Sequence, residues 1–138
     1  MIEWIIDAED VLAVIIPAAY EPAATEFVTP NTYKQQVGFV VYPAGAEIAP
    51  HIHQEMPRNL KGTSEVLLVK RGRCQVDFYS QAKRYLTTRE IHGGDVLVLV
   101  SGGHGFRMSE DTVLIEVKQG PYIGTSEKER FSPPRRDA

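Results

Sequence analysis

GAEIAPHIHQEMPRNLKGTSEVLLVKRG, residues 45–72, is the stretch on which the reading of the fold turns. It sets His51 and His53 one residue apart and places Glu65 at the head of the apolar run Val66–Val69. Residues i and i+2 of an extended strand point to the same face, so a strand over 46–53 presents the two imidazoles side by side. The same rule aligns Glu65 with Leu67 and Val69 and aims a carboxylate at an apolar interior. Two imidazoles and a carboxylate make up most of the donor set that a divalent first-row metal takes.

On either side of this stretch the chain continues as short apolar or alternating segments broken by Gly, Pro and polar clusters, the pattern of an all-β domain. Strands are expected near 2–6, 11–16, 36–42, 46–53, 64–70, 73–79, 83–91, 95–100, 104–108 and 112–119. Within 73–79, Cys74, Val76 and Phe78 form an apolar face opposite Arg73, Gln75 and Asp77, so Cys74 is expected to fill core. His104, Phe106 and Met108 share a face in the same way. Arg71-Gly72 and Gly93-Gly94 are expected to close antiparallel hairpins, which makes His92 a hairpin residue. Residues 17–30, with Pro17, Pro22 and Pro30, read as an irregular crossing with room for a helical turn at 22–27. The stretch 1–124 reads as one domain, and 125–138 as a polar tail forming an extended or disordered arm.

Composition bounds the function. A chain of 138 residues that is 43% hydrophobic and 24% charged is long enough to bury a core. A net charge of −3 offers no basic footprint for nucleic acid. The single cysteine, Cys74, excludes an internal disulfide and any zinc-finger spacing. The early apolar run at 11–16 is short and follows Glu3, Asp7, Glu9 and Asp10, where a signal peptide would be basic. No apolar run is long enough to span a bilayer, and a cytoplasmic location is expected. Neither a phosphate-binding glycine loop nor a nucleophile elbow is present.

His104 completes a constellation with His51, His53 and Glu65, and at this point the sequence resembles the cupin superfamily. The first cupin motif is matched by Gly45, His51, His53, Glu65 and Gly72, with five residues after Gly45 and six after Glu65. Gly94, Gly102 and His104 match part of the second. Eleven residues, 54–64, separate His53 from Glu65 where the family has fewer, and this insertion makes Glu55 a rival carboxylate. Val100 and Met108 stand at the family's usual proline and asparagine, and His104 comes one residue early. The resemblance covers about 36–119. It implies a double-stranded β-helix, or jelly-roll, barrel and one divalent transition metal (Zn, Mn, Fe or Ni) held by His51, His53, Glu65 and His104. It also implies a homodimer paired through its sheets.

Three functions are compatible with such a site. The metal can act as Lewis acid on a small sugar-like substrate bearing carbonyl and hydroxyl groups, as in isomerisation or epimerisation. With iron the same ligands suit dioxygen chemistry. The barrel can also bind a small ligand without turnover. Arg58 and Lys61, in the insertion, are candidates to receive an anionic group on the substrate, and Phe106 to line the pocket. Glu116 and Asp95 qualify as general acid or base by residue type alone.

Overall fold

Alternation and glycine punctuation produce ten strands and no α-helix in the computed structural model, which describes residues 1–134. The chain divides into two compact units: Met1–Tyr20 with Thr63–Ala138, and Glu21–Gly62.

The first unit holds two antiparallel sheets. The larger contains β1 (Glu3–Asp7), β2 (Asp10–Ile16), β5 (Glu65–Arg71), β8 (Val96–Leu99) and β10 (Val113–Lys118), in the order β1-β2-β8-β5-β10. The smaller contains β6 (Arg73–Tyr79), β7 (Tyr85–His92) and β9 (Gly103–Met108), in the order β7-β6-β9. One face of each sheet feeds a single core cluster. Leu12, Ala13, Ile15, Leu67, Val69, Leu97 and Leu99 come from the larger sheet, and Cys74, Val76, Phe78 and Ile91 from the smaller. Cys74 is thus core, as its alternation suggests. Burying a side chain such as Phe78 or Leu97 contributes roughly 1.5–3 kcal/mol. Among the described residues no ladder joins the two sheets into a closed barrel.

The expected hairpins at Arg71-Gly72 and Gly93-Gly94 are corners instead. Both edges of β5 are taken by β8 and β10, so β6 cannot fold back on it and starts the other sheet. The β7–β8 link likewise returns the chain to the larger sheet. At the first corner Gly72 has φ 96°, and a Cβ there would sit 2.6 Å from Thr112 Oγ1 and against the Asp111 carbonyl. Only glycine fits. Beside the second corner, Asp95 accepts hydrogen bonds from the backbone N–H groups of Ala18 and His92, both at 2.8 Å. His92 sits in this turn, with its ring 2.9 Å from Glu90.

The tail is not a free arm over its described length. After a 3-10 turn at Thr125–Glu127, Glu129 pairs with Lys83 and the Phe131 ring packs edge-on against Tyr79 at 5.2 Å. Residues 135–138 lie outside the described residues.

The second unit is held by side chains more than by ladders. Its sheet consists of β3 (Glu26–Phe27) and β4 (Gly38–Phe39). The buried Thr29 accepts a hydrogen bond from the Val37 N–H at 2.9 Å, and Gln36 donates to the carbonyls of Pro30 and Tyr33. The strand expected at 36–42 therefore shrinks to two residues, the helical turn at 22–27 does not form, and 46–53 is not a strand. Pro50 removes a ladder donor from 46–53, and Pro43 interrupts the chain between the two expected strands.

The two glycines that flank the motif should respond differently to alanine. Gly45 has φ 85° with open space around it, so Gly45→Ala should cost about 1 kcal/mol of backbone strain. Gly72→Ala adds a backbone clash and should cost about 2–4 kcal/mol, read as a lower denaturation midpoint.

Candidate functional site

Glu65 is the first residue of β5, and β5 is flanked on both sides, by Leu99 of β8 and Lys118 of β10 in the register of Glu65. Alternation turns its side chain to the core-facing side with Leu67 and Val69, and the residue is only 8% exposed. The strand is tied at its start: Ser64 donates its hydroxyl to the Leu99 carbonyl at 3.0 Å and its N–H to Gln119 Oε1 at 2.8 Å.

The other sheet supplies the imidazole. His104, on β9, lies opposite Phe78 of β6, with its ring 5.8 Å from that of Phe106. Its Nε2 is 3.8 Å from Glu65 Oε2. That is too long for a hydrogen bond.

Electrostatics show that this contact is not an ion pair at neutral pH. Burial raises the Glu65 carboxyl from its ordinary 4.5 to about 7, helped by the hydrogen-bonded and like-charged Glu116, while Lys118 and Lys128 pull it down. Burial lowers the His104 imidazole, Lys128 lowers it further, and Glu116 opposes both. The imidazole is neutral and its nitrogen is able to donate a lone pair.

His51 and His53 belong to the other unit, in an irregular exposed segment. Their rings still come together, edge to face with centroids 5.2 Å apart, and His51 Nδ1 lies 2.9 Å from the Ala49 carbonyl. Glu55 and Arg58 border a shallow depression together with His53. The Lys61 carbonyl accepts from the Lys34 ammonium. Phe106 packs against the core cluster of the first unit.

The four expected ligands thus appear as two pairs, Glu65 with His104 and His51 with His53, one in each unit. Within either unit, among the described residues, no three His, Cys, Asp or Glu side chains are gathered to hold a metal ion. Of the two residues proposed by type as acid or base, Asp95 is spent on the turn, whereas Glu116 is at the site. Lys118 and Lys128 are there too. Their signal in the sequence was weak: Lys118 is visible only through strand register, and Lys128 only through the return of the tail.

Compared with protein-family models, curated proteins and solved structures, the chain matches none of them. No helix is long and apolar enough to cross a membrane among the described residues.

The raised Glu65 carboxyl gives the metal-free protein a pH signature. The folded chain holds this proton more tightly than the unfolded chain between pH 4.5 and about 7, so the stability it contributes is complete below that window and lost as pH rises through it. Glu65→Gln should remove that loss and leave the metal-free protein on the order of 1–3 kcal/mol more stable near pH 8, read by denaturant unfolding at a series of pH values.

Proposed function

We propose that this is a metal-binding protein of the cupin kind, with its two sheets forming a jelly-roll container. One divalent transition metal is held by the ligand set that the sequence nominates, Glu65, His104, His51 and His53. The observation that carries this reading is the Glu65–His104 pair, brought from two different sheets to 3.8 Å at the border of an apolar core. Two donors on one first-row ion, each at about 2.0–2.2 Å, stand no more than about 4.2 Å apart, so the pair fits. A neutral imidazole beside a carboxyl that forms no direct ion pair with a lysine or arginine among the described residues also suits a cation.

When bound, the metal supplies Lewis acidity to a carbonyl or hydroxyl oxygen, as in isomerisation or epimerisation of a small sugar-like substrate. The chain's own part is to position and to exclude water. Glu116 holds the Glu65 carboxyl through a hydrogen bond. The Phe106 ring limits rotation of His104, and Leu67, Leu99 and Phe78 keep the floor apolar. Iron in the site would turn the chemistry toward dioxygen. A second reading, a ligand-binding module without turnover, draws on the same Glu65–Glu116 hydrogen bond, which satisfies the carboxyl with no cation at all.

The protein is proposed to act in the cytoplasm on a small molecule, as a homodimer. Leu68, Ile115 and Val117 form an exposed apolar strip at the β5–β10 edge, where a second copy would cover an open strand. The apolar residues of β2 need no partner, because Ala13, Val14 and Ile16 are already buried within one chain.

Elemental analysis of the purified protein should find one equivalent of a divalent metal. Ligand removal in Glu65→Ala or His104→Ala should weaken binding by at least about a hundredfold. His51→Ala should do the same; wild-type affinity in that variant would restrict the ligand set to Glu65 and His104. Val117→Lys should shift the protein to monomer in light scattering while preserving its circular dichroism.

A further inference from the structure

The sequence nominates Arg58 and Lys61 for an anionic substrate, but the cations beside Glu65 and His104 are different ones. Lys118 is cross-strand neighbour to Glu65 in the β5–β10 ladder. Like-facing residues of β10 alternate, which sets Lys118 and Glu116 on the same side of the sheet as Glu65 and Leu67. Lys128 comes from the tail. Its neighbourhood is anchored on either side: Glu129 pairs with Lys83, and Phe131 lies against Tyr79 and Gly103, the residue before His104. The tail therefore passes the start of β9, where the imidazole stands.

Among the described residues neither lysine forms a direct ion pair; Lys118 Nζ lies 5.8 Å from the centre of the Tyr122 ring. Both nevertheless act on the Glu65 carboxyl through space, and Lys128 acts on His104 as well. The two lysines offset the two carboxylates, Glu65 and Glu116. A divalent cation added to that balance leaves its own charge uncompensated in a partly desolvated place, where Coulomb energies are large. Next to Lys118, the Gln119 amide spends its oxygen on Ser64, and its buried Nε2 has no acceptor among the described residues. The unspent Gln119 donor next to Lys118 and two ammonium groups that both act on the Glu65 carboxyl have the same chemical complement, an oxyanion.

We infer that Lys118 and Lys128 form the anion-recognition pair of this site, so that its substrate carries a carboxylate or phosphate of its own. The inference rests on the metal-binding reading above, and deepens it by naming the substrate class. Lys118 holds the anion from the strand, and Lys128 from the returning tail, so the tail takes part in binding.

The test uses full-length protein loaded with Mn²⁺ and freed of excess metal. Glycolate and inorganic phosphate are titrated by calorimetry, with ethylene glycol as the neutral comparison. The anions should bind and ethylene glycol should not. Lys128→Ala and Lys118→Ala should each weaken anion binding about tenfold, with Mn²⁺ affinity unchanged or increased, and Lys128→Arg should restore it. Lys128 lies outside every strand, so its variant remains informative if Lys118→Ala disturbs the ladder. Mn²⁺ binding with no anion binding, or with anion affinities equal in wild type and both alanine variants, would overturn the lysine assignment alone. Failure of the wild type to take up Mn²⁺ would remove both the assignment and the metal reading beneath it.

Discussion

A carboxyl group placed at the head of an apolar strand flanked on both sides is the constraint to which the rest of the site answers. Glu65 cannot turn away, because alternation on β5 fixes its side and ladders to β8 and β10 fix the strand. Leaving it ionised and unsolvated would cost several kcal/mol. Three responses are built around it. Glu116 shares a hydrogen bond with it, two lysines favour its charged form through space, and burial lets it keep its proton to about pH 7. His104 stands beside it as a neutral base and not as an ion-pair partner.

The geometry of that arrangement depends on packing. His104 reaches Glu65 only because β5 and β9 belong to different sheets whose inner faces meet over one core. The chain changes sheets at Gly72, at the β7–β8 link and again on either side of β9, so residues adjacent in sequence separate in space while Glu65 and His104, far apart in sequence, converge. Phe78, opposite His104 in the ladder, is almost fully buried; a loss of volume there would move the imidazole before it touched any polar contact.

Much of this was legible in the sequence where the deciding physics is local. Period-two alternation placed Glu65 inward, Cys74 in the core and His104 on a face with Phe106. It also located most strands of the first unit. Corners and hairpins, by contrast, use the same glycine chemistry, and which one forms at Gly72 depends on distant strands occupying both edges of β5. The stretch 46–53 alternates well enough to read as a strand, yet Pro50 interrupts it and no ladder forms, and His51 and His53 approach each other through irregular backbone. Glu116 was named by type but had no place until register set it opposite Leu67. Lys128 looked like part of a solvated tail, because nothing local reveals that Phe131 docks on Tyr79.

The separation of core from site has a thermodynamic meaning. In small metal-dependent domains the ligands are the core, and metal binding supplies the folding energy. Here the buried aliphatic and aromatic residues of two sheets form a cluster to which Glu65 and His104 are peripheral. The carboxylates, moreover, are offset by lysines without any ion. If a metal is bound as proposed, its removal would leave a folded chain with a protonated carboxyl at the border of its core, in place of an unfolded one. Stability and cation affinity are then separate properties, linked mainly through the proton on Glu65. A cation bound as proposed would have to displace that proton, so its affinity would rise with pH over the same interval in which the metal-free fold weakens.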